Sequence, residues 1–140
     1  MREGESITMP SRHLLAFTAA LAVLPASAQA HHSFAAFFDP AKSVTVTGAV
    51  TEFRFTNPHG MIALDVKKAD GSTEKWRAET NAPVVLVRRG WTRDVIKAGD
   101  VVTIDGWPAR DGRNYIRLRD MKDAHGKQIG SMPFGQKDQS

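Results

Sequence analysis

The chain has 140 residues, 41% of them hydrophobic and 24% charged, and no cysteine. That composition suits one small soluble domain and excludes a disordered tail, a collagen-like rod, a disulfide scaffold and a two-domain arrangement. A formal charge of +4, from 19 Lys and Arg against 15 Asp and Glu, is well short of a dedicated nucleic-acid binder's basic footprint, and charge alone names no partner.

The first predicted element is an export signal over residues 1–30. Arg12 and His13 precede the apolar run at 14–24 (LLAFTAALAVL), which is followed by the helix breaker Pro25 and the small residues Ala26, Ser27, Ala28, Gln29 and Ala30. The run is about half of the roughly 20 residues that span a bilayer as a helix, so a signal peptide is expected and no stable membrane span after processing. Glu3 and Glu5 suit a signal's leading region poorly, which makes Met9 an alternative start to Met1. Without cysteine there is neither lipid attachment nor a disulfide, and a periplasmic or secreted protein follows. Cleavage is expected after Ala30, at Ala28-Gln29-Ala30, with a second site after Ala28. Loss of Arg2, Arg12, Glu3 and Glu5 leaves 17 basic and 13 acidic residues and the same net charge.

An N-terminal segment over 31–43 comes next, in which Phe34, Phe37 and Phe38 form an apolar strip expected to pack over one end of the domain. From residue 44 the text VTVTGAVTEFRFTN places Val44, Val46 and Val50 on one face, then slips phase to Phe53 and Phe55, with Gly48 where a long strand could bend. The turn Thr56-Asn57-Pro58-His59-Gly60 leads to a second strand with Ile62, Leu64 and Val66 at period two. Asp70-Gly71 turns the chain into a third strand carrying Trp76 and Ala78. Thr80 or Asn81 is placed to cap a short helix with Pro83 in its first turn, a body at 84–88 and Gly90 past its end. A second short turn capped by Thr92 covers 93–96. Strands at 101–107 and 115–121 flank a hairpin turn at 110–113, and a short edge piece is expected around Ile129. Three strands, a helix and two strands, with a bent first strand, predict an all-β fold: a small five-stranded OB-like Greek-key barrel over 44–130, then a flexible tail over 131–140. A flatter three-plus-two sandwich is the alternative architecture.

Chemistry is expected at the processed start. With His31 first, its α-amine and imidazole close a chelate ring on Cu(II), and a third nitrogen from another histidine completes a tetragonal set; such nitrogen ligands suit Cu(II) or Ni(II). Cleavage after Ala28 instead places His31 third, which binds the same ions through the amine, two backbone nitrogens and the imidazole. His31, His32 and, from the Asn57-Pro58-His59-Gly60 turn, His59 are therefore the candidate metal ligands. His125 is a weaker candidate in a turn, and Met61, Met121 and Met132 are scattered as packing residues. A second expectation is a metal-free surface for anionic envelope ligands, from Arg88, Arg89 and Arg93 around Gly90-Trp91 and Arg110, Arg113, Arg117 and Arg119 on the last hairpin, with Trp91, Trp107 and Tyr115 nearby. A third is an unidentified protein partner. No cysteine nucleophile, glycine-rich phosphate cradle, Gly-x-Ser-x-Gly or His-Glu-x-x-His is present, so a binding module is expected and not an enzyme.

With His31-His32-Ser33-Phe34, Thr56-Asn57-Pro58-His59, the 88–94 segment RRGWTRD and Gly99-Asp100-Val101-Val102 in this order, the chain resembles a family of small exported bacterial proteins defined only as a domain of unknown function. The resemblance covers nearly all of 31–125. It implies an exported, single-domain, barrel-like protein and carries over no catalytic residue. Gly60 departs from the bulkier residue expected after His59, which implies a looser loop there.

Overall fold

A computed structural model describes Met1 and residues 34–130. Apart from Met1, the expected signal over 1–30 and the tail over 131–140 lie outside the described residues. Five strands, β1 (Val44–Arg54), β2 (Met61–Lys67), β3 (Thr73–Glu79), β4 (Val101–Pro108) and β5 (Tyr115–Asp123), close into a barrel in the order β1-β2-β3-β5-β4, with one helix, α1 (Pro83–Arg88), between β3 and β4. This is the OB arrangement, and closure of β1 on β4 sets aside the open sandwich.

Period two supplies the core. Val46, Val50, Ile62, Leu64, Ala78, Val102, Ile104, Ile116, Leu118 and Met121 point inward and are buried, and Leu86 of α1 and Trp91 plug the same cluster. The phase slip in β1 is a register shift between Val50 and Glu52, which lets one strand pair with β4 over its first half and with β2 over its second. At Gly48 a Cβ would lie 2.7 Å from the Asp65 carbonyl oxygen, so glycine serves a close approach of β2 and not only a bend.

Two local expectations change. The N-cap of α1 is Ala82, in extended conformation and without a side-chain hydrogen bond, with Pro83 in the first turn; Thr80 and Asn81 are buried in the barrel wall. The segment before β1 is docked, but as a helical turn at 34–37. Phe34 and Phe38, four residues apart, share its inner face with ring centroids 5.6 Å apart, while Phe37 faces solvent, 59% exposed. The expected edge piece is a single bridge between Lys122 and Gln128.

Candidate functional site

One row of paired residues crosses the outer wall. Trp107 on β4 pairs with Arg117 on β5, Arg117 with Glu79 on β3, and Glu79 with Met61 on β2. The β3–β5 pairing that joins the two halves is parallel and only three residues long, and it brings groups 36 to 38 positions apart into one cluster. Arg117 is 5% exposed. Its Nη1 donates to Glu79 Oε1 at 2.7 Å and to the Thr80 carbonyl at 2.8 Å, and its Nη2 donates to Asn81 Oδ1 at 2.7 Å. Tyr115 Oη donates to Glu79 Oε2 at 2.5 Å. A carboxylate held by a guanidinium and a phenol at once stays in place.

His59 completes the cluster. Its loop, which contains a cis Asn57-Pro58 peptide, brings Nδ1 to 2.6 Å from Glu79 Oε1. An ionised carboxylate only accepts, so Nδ1 carries the proton and the neutral ring's lone pair is on Nε2. Burial and the neighbouring Arg117 charge hold His59 below its ordinary pKa, outweighing the attraction of Glu79. The ring is therefore neutral at pH 7, the form that binds a metal.

Gly60 does not loosen this loop. It is buried, its carbonyl accepts from Thr80 N at 2.9 Å, and a Cβ there would lie 2.5 Å from Thr80 Oγ1 and 3.0 Å from the Arg54 carbonyl oxygen. Gly60→Ala is expected to cost about 2 kcal/mol of unfolding free energy by overpacking, read as a lower urea midpoint at unchanged m-value. An unchanged midpoint would show that the loop has room to give.

The docked N-terminal segment lies on the same wall. Phe34 packs edge-on against Trp107 with centroids 5.5 Å apart, and Phe38 stacks on Tyr115 at 5.5 Å. Arg110 Nε donates to the Ala35 carbonyl at 2.7 Å, and the bridge between Phe38 and Ala109 ties the segment to the hairpin. Tyr115 thus carries the segment on its ring and Glu79 on its hydroxyl.

Of the candidate ligands, His31 and His32 lie outside the described residues. His125 sits in the turn beyond β5, where its backbone N donates to Asp123 Oδ1. Six residues of strand separate that turn from Arg117, roughly 20 Å, so His125 and His59 belong to different ends of the barrel. Among the described residues no three His, Cys, Asp or Glu side chains gather closely enough to hold a metal. Met121 is core, and Trp91 and Trp107 are buried packing residues.

Most of the arginines expected to form a cationic face are committed within the protein. Arg113 pairs with Asp111 at 3.0 Å and lies over the Tyr115 ring. Arg119 pairs with Asp105, Arg93 donates to the Phe55 carbonyl, and Arg117 is interior. Glu79 is the site residue that sequence reasoning misses; Arg117 and Tyr115 are expected only as part of a cationic surface, and Asn81 only as a helix cap. Alternation places Arg117 on the outer face but cannot say what covers it.

The profile of a family of unknown function, DUF6152, matches residues 19–117. No curated protein matches the chain. Among solved structures, the fold is similar to the mitochondrial single-stranded DNA binding protein Rim1 from S. cerevisiae, at 12% identity and a TM-score of 0.46, over 59% of this chain and 93% of that one. It is also similar to the small single-stranded DNA-binding protein from Streptomyces coelicolor, at 16% identity and a TM-score of 0.36, over 59% and 90%. A third likeness is to TiaS in its complex with a tRNA and ATP, at 19% identity and a TM-score of 0.44, over 61% of this chain and 19% of that one. These likenesses concern strand arrangement and say nothing of ligands.

Proposed function

Given that the chain belongs to DUF6152, a family of unknown function, we propose that it is an exported, non-enzymatic binding module that captures Cu(II). The ligands are the α-amine and imidazole of a processed N-terminal His31, assisted by His32, with His59 Nε2 as the third nitrogen. One observation supports this reading: Phe34 docks on the row of residues that includes Glu79, the partner of His59. Phe34 packs on Trp107, and Trp107 is two strands from Glu79 along that row, roughly 10 Å at the usual strand spacing. Three residues of extended chain, from Phe34 back to His31, cover roughly 10 Å. That span supports a terminal chelate and the His59 imidazole sharing one ion, and nitrogen donors in one plane favour Cu(II) over other divalent ions.

The test is a Cu(II) titration of the mature protein followed by electron paramagnetic resonance, with the first residue established by mass. Hyperfine structure from three or more nitrogens is expected in the unaltered protein. His31→Ala should weaken binding about a hundredfold by removing the chelate ring, and His59→Ala about tenfold, with one nitrogen lost from the spectrum. A mature chain starting several residues beyond His32, or a spectrum indifferent to His31→Ala, overturns the proposal.

A further inference from the structure

We propose that the groove across the outer faces of β1, β2 and β3 binds a hexuronate, whose carboxylate pairs with Arg77. The groove shares no residue with the copper ligands, and the proposal stands or falls independently of them.

The groove follows from residue size. On β2, Ala63 presents only a methyl group between the longer side chains of Met61 and Asp65, which share its face at period two. Ala63 pairs with Glu52 on β1 and with Arg77 on β3, and Arg77 pairs with Tyr115 on β5. The register shift in β1 leaves Thr51 as the extra residue, and it lines the same hollow. The volume is about 570 Å³, within the roughly 300–1,000 Å³ of small-molecule sites.

Charge selects the ligand. Three cationic side chains and no acidic one line the hollow. Two of the three already have counterions: Lys75 Nζ donates to both Asp65 oxygens at 2.7 and 2.8 Å, and Arg113 pairs with Asp111 at 3.0 Å. The acids nearest the rim are also taken, Glu52 by Arg54 and Glu79 by Arg117. Arg77 is exposed, and among the described residues its guanidinium has no acceptor, while its backbone N is fixed to the Asn114 carbonyl at 3.0 Å. One spare positive charge calls for one negative charge, and a guanidinium grips a carboxylate through two parallel bonds. A phosphate, largely dianionic at neutral pH, would be only half compensated.

The groups around Arg77 suit hydroxyls. The Asn114 amide and the Thr51 hydroxyl line the groove without side-chain partners among the described residues. Each can both donate and accept, as a sugar hydroxyl does. Met61 and Ala63, both part-exposed, give an apolar floor for the C–H face of a pyranose ring. Thr51 and Arg77 stand two strands apart, roughly 10 Å. That is longer than one ring, and it favours a unit of a saccharide chain over a free sugar acid.

The test is an amide NMR titration of the mature protein, without added metal, with digalacturonate. Shifts are expected at the Thr51, Ala63, Arg77 and Asn114 amides. The dimethyl ester of the same disaccharide, which carries no charge, should bind at least about tenfold more weakly, and inorganic phosphate should leave these amides unmoved. Arg77→Gln changes an exposed side chain and should leave folding intact; it should weaken digalacturonate binding about tenfold or more, through loss of a charge-assisted pair. Arg77→Lys should restore only part of that loss, because an ammonium lacks the planar fork. Thr51→Ala should weaken the disaccharide by about threefold and leave galacturonate itself unaffected. Galacturonate binding as tightly as the disaccharide supports the same carboxylate site with a free sugar acid as its source. The proposal is overturned if digalacturonate moves none of the groove amides, or if its affinity survives esterification or Arg77→Gln. Displacement by polyglutamate at lower concentration also overturns it, and makes the ligand an acidic peptide.

Discussion

Replacing Arg117 by leucine is expected to lower the unfolding free energy by about 3–5 kcal/mol, read as a fall in the urea midpoint at constant m-value. The guanidinium is 5% exposed and bonded to Glu79, the Thr80 carbonyl and Asn81. Burial works against its charge, and Glu79 is the largest influence restoring it. A leucine would fill most of the volume but take the guanidinium's donors from three acceptors: the Glu79 carboxylate, 16% exposed, which keeps Tyr115 and His59 as partners, a backbone carbonyl in a fully buried residue and an amide oxygen in one that is 2% exposed. A buried acceptor that loses a donor bears more of its desolvation cost. With a total stability of roughly 5–15 kcal/mol for such a domain, this one change could remove half of it.

A double variant, Arg117→Leu with Glu79→Leu, separates charge from packing. Removing both ions together takes away the carboxylate left without its guanidinium, and apolar replacements for a buried pair are often neutral. The double variant should therefore recover most of the loss, a coupling of the kind double-mutant cycles detect. If the two changes simply add, the pair is not an energetic unit. Arg117→Leu also predicts a rise in the His59 pKa, because a charge that holds it down is gone.

The barrel is legible in the sequence because its signals are local. Alternation at Val46 and Val50, at Ile62 and Leu64, and at Ile116 and Leu118 names the inward face of each strand, and Asp70-Gly71 and Asp111-Gly112 name turns. The β1 slip is visible as a phase change between Val50 and Phe53. The site is not legible in the same way. Glu79 and Arg117 look like ordinary outward positions at strand ends, and only the three-residue parallel pairing of β3 with β5 sets them face to face. Thr80 and Asn81 read as helix caps because their residue types suit that job; burial next to Arg117 redirects them. Phe37 reads as part of an apolar strip, but a helical turn places it off the face shared by Phe34 and Phe38. His59 is the one site residue visible from its turn alone, and its partner Glu79 is invisible because it lies far along the chain, at the end of another strand.

Gly106→Ala is expected to cost about 3 kcal/mol or more, the other large effect. Gly106 lies at the register shift in β4, opposite Leu118. A Cβ there would overlap the Arg117 carbonyl oxygen and lie 3.0 Å from its carbon and 3.3 Å from the Leu118 Cα. All three obstacles are backbone atoms in the middle of β5, so no side chain can swing aside. Relief requires β4 and β5 to separate where Trp107 pairs with Arg117, which strains the closed wall and displaces the guanidinium from Glu79. Gly71→Ala provides the comparison. Gly71 has a φ of +84° and nothing within 4 Å of an added Cβ, so its substitution bears only the left-handed backbone cost of about 1–2 kcal/mol. Urea unfolding should rank Gly106→Ala well below Gly71→Ala in stability, and the His59 ring resonances should shift in the first variant alone. Equal losses in the two would mean that the wall yields at the bulge, and the Arg117 network would then be far less rigid than its hydrogen bonds require.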